Sequence, residues 1–161
     1  VDVSHLAPQV ARPPNPANVS PIGDVVGIPI QQAVIGTCTN ARLEDLRIAA
    51  KILAGHAISP NVRLFVTASS RAVFQQAASE GIISAFVQAG AILGPPGCGG
   101  CTGGSGVAIP ADGVNVISTA NRNFQGRLGN TKADIYLASP ATVMASAIRG
   151  EITDPRSYQC A

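Results

Sequence analysis

The sequence predicts an α/β protein with three layers, in which helices flank a mainly parallel β-sheet. Short apolar segments of strand length alternate along the chain with longer segments whose apolar residues recur every three or four positions. Glycines follow the helical segments, where they favour helix termination. Alternation of this kind is typical of a parallel sheet with crossover helices. Ligands bind at the carboxyl ends of the strands in such sheets, so residues just after predicted strands are candidates for a functional site.

The first strand–helix unit begins at residues 32–36, an apolar segment with the pattern of a buried strand. A helix is predicted from about Arg42 to Leu53, with Asn40 as its N-cap and Gly55 as its stop signal. Its apolar positions recur at helical spacing, which predicts one buried face. The residues of that face are Leu43, Leu46, Ala50 and Leu53.

Further units of the same kind follow. The predicted strands cover residues 63–67, 91–93, 114–118 and 134–138, and the predicted helices run from Ser69 or Ser70 to Gly81, over 82–88, and from Pro140 to Arg149. Ser139 is the N-cap expected for the last helix, because Pro140 then occupies the first helical position that proline prefers.

The first thirty residues are expected to be a loop, because prolines are spread along them and preclude a helix of any length. Their apolar residues favour an ordered arm over a free linker. The predicted organisation is therefore a proline-rich arm over 1–30, an α/β domain over 31–156 and a tail over 157–161.

Composition narrows the classes of function. Charged residues make up 12% of the chain and the formal net charge is +2, which gives no electrostatic reason to expect nucleic acid or a membrane surface as a partner. No apolar segment approaches the length of a membrane span, and no signal peptide is visible.

Four cysteines are too few for a disulfide scaffold, so metal or redox chemistry in a reducing, cytoplasmic compartment is expected. The chain begins at Val1 and its one methionine is Met144, so a fragment, a processed chain or an excised domain is expected.

The candidate site centres on a glycine-rich segment, residues 94–104, that carries Cys98 and Cys101 three positions apart. A Cys-x-x-Cys turn aims two sulfurs at one point and is a common metal-binding unit. Cys38 lies after the first predicted strand and just before a helix, where the helix dipole favours a thiolate. Three thiolates with no obvious fourth ligand suit a cubane iron–sulfur cluster with one iron left open for Lewis-acid chemistry.

Other interpretations of the cysteines stay open on spacing alone. A zinc site would need His5 or His56 as a further ligand, and neither has a ligand-like spacing. A redox dithiol usually opens a helix, and no helical pattern follows Cys101. A phosphate-binding loop is disfavoured because no Gly-Lys-Ser/Thr follows the glycines. Cys160 lies in the polar tail and is expected to be a bystander.

A second candidate segment, residues 121–127, follows the predicted strand 114–118 and is rich in amides and guanidiniums. Arg122 and Arg127 are suited to bidentate binding of carboxylates. A surface loop with two solvated arginines is the alternative. The predicted position of the segment at a strand end, on the same sheet edge as the thiols, favours a binding site.

With these segments assembled, the chain resembles the cluster-binding domain of the aconitase family, over roughly residues 1–156. The nearest branch is that of the large subunits of 3-isopropylmalate dehydratase and homoaconitase. The segments that carry the resemblance are DVSHLAPQVA (2–11), GTCTNARLEDLR (36–47), PGCGGCTG (96–103), STANRNFQGR (118–127) and YLASPATV (136–143). The family commonly has Glu at the position of Gln125 and a bulkier residue at the position of Gly100.

The resemblance implies that Cys38, Cys98 and Cys101 ligate a [4Fe-4S] cluster. It implies that Asn121 helps to hold substrate or water at the open iron, and that Arg122 and Arg127 bind substrate carboxylates. The implied reaction is dehydration and rehydration of a hydroxy di- or tricarboxylate, of the 3-isopropylmalate or homoaconitate type, which moves the hydroxyl group between adjacent carbons.

The resemblance also implies partners. In the family, further catalytic residues lie in preceding domains of the large subunit, and the serine base lies on a swivelling domain that is often a separate small subunit. The expected chain is thus the cluster-bearing part of a hydro-lyase, inactive in isolation. The alternatives are a non-catalytic metal-binding or RNA-binding module derived from an aconitase-like domain, and a structural zinc domain.

Overall fold

The computed structural model describes residues 5–158, which form one seven-stranded sheet covered by four α-helices. The strands are β1 (Gln9–Ala11), β2 (Val19–Pro21), β3 (Gln32–Ile35), β4 (Arg63–Val66), β5 (Ile92–Leu93), β6 (Asn115–Ser118) and β7 (Asp134–Leu137). The helices are α1 (Leu43–Leu53), α2 (Arg71–Ser79), α3 (Ile82–Gln88) and α4 (Pro140–Arg149).

The sheet is mainly parallel, as predicted. Its strand order is β2-β1-β7-β6-β3-β4-β5, and β3 to β7 are parallel to their neighbours within this group. β3 lies between β4 and β6, so the loops that leave β3, β5 and β6 emerge on one edge of the sheet. The α/β class is therefore confirmed.

The two faces of the sheet are covered differently. Ala33 and Ile35 of β3 pack with one large core to which all four helices contribute, whereas Val34 between them faces the opposite side. The second, smaller core consists of Val34, Ala108, Val116, Leu128 and Ile135. Ala108 and Leu128 belong to the loops before and after β6, so the third layer of the fold is built from loops and short 3₁₀ turns rather than from helices.

Most predicted helix signals act as expected. Ser70 and Ser139 each accept a hydrogen bond from a backbone N–H in the first turn of the helix that follows, at 3.3 Å in both cases. Gly150 ends α4 in the left-handed conformation. Each helix sends at least one fully buried side chain into the large core, among them Leu46, Phe86 and Met144. Each such burial contributes about 1.5–3 kcal/mol before conformational entropy is counted.

The start of α1 differs from the prediction. Asn40 is not the N-cap, because its own backbone N–H donates to the Thr37 carbonyl in a turn that precedes the helix, at 3.2 Å. Arg42 occupies the N-cap position, and its backbone N–H donates to the Asp45 carboxylate at 3.1 Å. An acidic side chain in the first turn thus satisfies a backbone donor.

The prediction that residues 1–30 form a loop is wrong at two places. Gln9–Ala11 pairs antiparallel with Val19–Pro21, and Ala11 pairs with Leu137, so this hairpin extends the sheet beyond β7. Prolines permit this because several lie in the connection between the strands, and Pro21 ends the outer strand, where its missing N–H removes no bond inside the sheet. Within the described residues 5–30, the hairpin packs Val10 and Ile22 into the large core, and the arm as a separate unit stays a prediction. The domain boundaries at residues 30 and 156 stay predictions.

Candidate functional site

Three loops that carry the predicted site residues meet at the carboxyl edge of the sheet. The Gly36 N–H, two residues before Cys38, donates to Thr119 Oγ1 at 3.0 Å. The Gly103 N–H, two residues after Cys101, donates to the Arg127 carbonyl at 3.2 Å. These two bonds join the Cys38 loop and the Cys98–Cys101 loop to the segment that follows β6.

The thiols of Cys38, Cys98 and Cys101 lie close together. All three are free, and Cys101 is buried whereas the other two are exposed. The pKa of the Cys98 thiol is raised above its ordinary value, first by the neighbouring charge and hydrogen bond of Cys101, then by burial, and then by Cys38. Cys160 lies outside the described residues.

Glycine shapes the loop around the thiols. Residues 99–101 form a 3₁₀ turn in which the Cys101 N–H donates to the Cys98 carbonyl at 3.1 Å. The two cysteines therefore stand at the two ends of one hydrogen-bonded turn. A Cβ on Gly99 would lie 2.8 Å from Thr67 Cβ, and Gly99 has a φ of +53°. A Cβ on Gly100 would lie 3.1 Å from Val34 Cγ1. The loop therefore packs closely on β3 and on the residue after β4, so a side chain at Gly99 would clash, whereas one at Gly100 would require a small shift of Val34.

Arg127 contacts the buried thiol. Its Nη2 donates to Cys101 Sγ at 3.2 Å. Its Nε is buried and, among residues 5–158, has no hydrogen-bond partner. The guanidinium is thus next to the candidate ligand set, where it can also offer donors to a bound anion.

Asn121 and Arg122 lie just past the end of β6 and are exposed. The turn before them is held by the Ser118 hydroxyl, which accepts from the Ala120 N–H at 3.0 Å. Their side chains make no hydrogen bond within the described part of the chain, so both are free to contact a ligand at this edge.

Asn123 is a residue that the sequence analysis did not single out. It is 1% exposed, and its Nδ2 donates to the carbonyls of Arg12 and Ile135, both at 3.0 Å. These bonds tie the loop after β6 to the arm and to β7. The sequence marks Asn123 only as one of several amide residues in 121–127. That pattern does not show which amide holds the loop in place and which is free to bind a ligand.

A second buried amide marks the Cys38 loop. Asn40 Oδ1 is buried without a hydrogen-bond partner in the described structure, two residues after Cys38. An unpaired buried polar atom costs free energy, so such an atom indicates a missing partner. Arg127 Nε and Asn123 Oδ1 are further atoms of this kind in loops that carry the candidate site, and Ser20 Oγ in β2 is one away from it.

Three free thiols are soft ligands of the kind that both iron–sulfur clusters and zinc take. No group of three or more His, Cys, Asp or Glu side chains among residues 5–158 is placed to hold one metal ion. A single zinc ion needs all its sulfurs about 2.3 Å from one point. In a cubane cluster each thiolate binds a different iron, so the sulfurs stand farther apart. His56, a ligand of the zinc alternative, packs edge-on against Tyr158 at a ring separation of 5.1 Å.

Among residues 5–158, no helix is long and apolar enough to span a lipid bilayer.

Comparison with known proteins agrees with this geometry. Residues 1–150 match the family described as "Aconitase family (aconitate hydratase)". The chain is 50% identical over 158 residues to the 3-isopropylmalate dehydratase large subunit 1 of Methanopyrus kandleri, an alignment that covers 98% of this chain and 38% of that protein. It is 51% identical over 158 residues to the large subunit 2 of Archaeoglobus fulgidus, with the same coverage.

A third relative, the large subunit 1 of Pyrococcus furiosus, is 49% identical over 156 residues, which are 96% of this chain and 37% of that protein. The chain thus spans about two fifths of the length of the curated relatives it matches. The family match covers most of the chain and includes all three thiols that meet at the sheet edge. The chain belongs to the aconitase family.

Proposed function

We propose that this chain is the cluster-bearing domain of an iron–sulfur hydro-lyase. The reaction would isomerise a hydroxy di- or tricarboxylate of the 3-isopropylmalate or homoaconitate type by dehydration and rehydration. The observation that carries the proposal is that the Cys38 loop and the Cys98–Cys101 turn, with their free thiols, are both hydrogen-bonded to the segment after β6, where Arg127 contacts Cys101. The names of the relatives support the dehydratase chemistry, and leucine biosynthesis is the process we expect it to serve.

Cys38, Cys98 and Cys101 would hold a [4Fe-4S] cluster. Three thiolates leave one iron without a protein ligand, and this iron would supply Lewis-acid activation of the leaving hydroxyl. Gly99 and Gly100 would let the turn pack closely on Thr67 and Val34, which holds Cys98 and Cys101 at the sheet edge. The buried Cys101 and the exposed Cys98 would approach the cluster from the two ends of that turn.

Asn121, Arg122 and Arg127 would bind the substrate. Arg122 is exposed at the sheet edge, and its planar fork matches a carboxylate. The Arg127 guanidinium is held beside the thiols by its contact with Cys101, so a carboxylate near its exposed N–H groups would meet a preorganised donor. Asn121, at the same strand end, would orient the substrate hydroxyl or a water. The net effect is to fix a carboxylated substrate against the open iron.

This chain would supply the Lewis acid and part of the substrate site, and other elements would supply the acid–base groups. The relatives are named large subunits, which supports a small-subunit partner. The swivelling domain that the family resemblance implies would lie on that partner. Preceding domains of a large subunit would complete the site. A cytoplasmic, reducing location would suit the free thiols, and it stays a prediction.

Anaerobic reconstitution of the 161-residue chain tests the proposal. We expect the broad visible absorption of thiolate-to-iron charge transfer, together with a change in the electronic spectrum of the cluster when a hydroxy dicarboxylate is added. We expect no turnover of 3-isopropylmalate by the chain alone. Turnover without added protein would refute the claim that other elements supply the acid–base groups. A chain that takes up no iron would refute the claim that it binds a cluster. RNA binding that falls with salt would instead favour the RNA-binding alternative.

A further inference from the structure

We propose that Arg127 is a positioning residue for the cluster ligand Cys101, and that its hydrogen bond to this sulfur raises the reduction potential of the cluster and slows its loss. This inference rests on the proposed function and assigns to Arg127 a role in addition to carboxylate binding. It follows from the contact between Nη2 and Cys101 Sγ at 3.2 Å.

Cys101 needs a donor more than the other two thiols do. It is 8% exposed, whereas Cys38 and Cys98 are exposed. A buried thiolate has lost hydrogen bonds from water, and its charge is costly unless a protein donor replaces them. A guanidinium N–H bonded to a charged acceptor gives the stronger, charge-assisted type of hydrogen bond. Arg127 is thus placed at the thiol for which such a bond matters most.

The backbone of Arg127 is held independently of its side chain. The Arg127 N–H donates to the Phe124 carbonyl at 2.9 Å, and the Arg127 carbonyl accepts from the Gly103 N–H at 3.2 Å. The second bond connects Arg127 to the same loop that carries Cys101. The distance between the guanidinium and the sulfur is therefore fixed by the packing of two loops, which a change of the side chain alone need not disturb.

One guanidinium can serve two acceptors at once. Nη2 is directed to the sulfur, while Nε is buried and lacks a partner among the described residues. An anion bound by the other N–H groups of the guanidinium would leave the bond to the sulfur in place. Arg127 would then link the cluster ligand to the bound carboxylate, so that each would respond to the other.

Hydrogen bonds and positive charge near the sulfurs set the potential of an iron–sulfur cluster. One-electron reduction adds negative charge to the cluster, and a donor at Cys101 stabilises this charge. The predicted sign follows directly: Arg127 raises the potential, and its removal lowers it. The same bond holds the Cys101 sulfur in position as a ligand, so its removal speeds loss of iron.

The test compares Arg127→Gln, Arg127→Lys and Arg122→Gln with the unchanged 161-residue chain after anaerobic reconstitution. Arg127→Lys retains the charge without the fork, and Arg122→Gln removes the same charge from the same loop without a bond to a thiol. Spectroelectrochemical titration gives the cluster potential, and transfer of iron to a ferrous chelator gives the rate of loss. Far-UV circular dichroism confirms that each variant is folded.

We expect Arg127→Gln to shift the reduction equilibrium about tenfold toward the oxidised cluster, which is about 59 mV for one electron. Iron release should be several-fold faster, Arg127→Lys should fall between the two, and Arg122→Gln should change both quantities less. A folded Arg127→Gln chain that takes up no cluster, while Arg127→Lys does, would also support the inference.

Equal potentials and release rates for Arg127→Gln and the unchanged chain, at equal iron content, would overturn the inference and leave the proposed function intact. An equal effect of Arg122→Gln would overturn it as well, since the result would then reflect charge alone. An unchanged chain that binds no iron would overturn the proposed function, and this inference with it.

Discussion

Replacement of Gly36 by alanine is expected to destabilise the protein and to displace Cys38, because Gly36 connects β3 to the Cys38 loop. Gly36 has a φ of +109°, and a Cβ there would overlap the Thr67 carbonyl oxygen and lie 2.9 Å from Ala41 Cβ. The Thr67 N–H donates to the Ile35 carbonyl at 2.8 Å, so this backbone belongs to the β3–β4 pairing and cannot move aside without cost.

The cost has two parts. A positive φ costs a residue with a Cβ about 1–2 kcal/mol. Overpacking against an immobile backbone adds about 1–3 kcal/mol. The Gly36→Ala chain should therefore lose about 2–5 kcal/mol, a large part of the 5–15 kcal/mol roughly typical of a folded domain.

Gly90→Ala is the matched control. Gly90 has a φ of +94°, and a Cβ there would meet nothing within 4 Å, so only the backbone part of the cost, about 1–2 kcal/mol, applies. Urea denaturation of the cluster-free chains, followed by circular dichroism, measures both free energies. Cluster uptake should fall in Gly36→Ala alone. Equal losses of stability in the two variants would refute the claim that the Thr67 carbonyl leaves no space for a Cβ at residue 36.

Two further predictions concern groups away from the thiols. Asn123→Ala should lower the free energy of unfolding by about 1–3 kcal/mol, because two carbonyls lose their donor. The control Gln125→Ala should lower it by at most about 1 kcal/mol, because the bond of Gln125 to the Thr131 carbonyl is exposed. Similar losses for the two variants in urea denaturation would contradict this prediction. The Arg47 guanidinium lowers the pKa of Glu80 from 4.5 to about 2, so Glu80 stabilises the folded state above pH 4.5 and loses this effect as pH falls toward 2. The difference in thermal midpoint between the unchanged chain and Glu80→Gln should shrink over that interval, and a constant difference would argue against the ion pair.

The sequence predicts the central fold well because its signals there are local. β3 is buried at all four of its positions and carries three apolar residues in a row, as expected for a strand covered on both faces, and the N-cap serines mark α2 and α4 directly. Residues just after such strands fall on one edge of a parallel sheet, so the meeting of the three site loops follows from the strand order.

Features that depend on distant contacts were not predictable. β1 is three residues long and gains its place through antiparallel pairing with β2 and through one pair with Leu137. No periodicity in so short a segment indicates that pairing. The unequal covering of the sheet likewise depends on where the loops around Ala108 and Leu128 pack, which loop composition does not specify.

The candidate site was predictable in its members but not in its contacts. The spacing of the cysteines and the order of the predicted strands identified Cys38, Cys98, Cys101 and Arg127 as site residues. The bond from Arg127 to Cys101 required the turn at Gly103 to meet the Arg127 backbone, a contact between residues 24 positions apart in the printed sequence. The anchoring role of Asn123 likewise requires the arm and β7 to be in place.

The central claim is that three thiolates of this chain hold one four-iron cluster. The most direct test is the iron and acid-labile sulfide content per chain after anaerobic reconstitution, for the unchanged chain and for single Cys→Ser variants. We predict about four irons and four sulfides in the unchanged chain and in Cys160→Ser, and marked loss of both in Cys38→Ser, Cys98→Ser and Cys101→Ser. Full content in any of these three variants, or one zinc ion without sulfide in the unchanged chain, would contradict the claim.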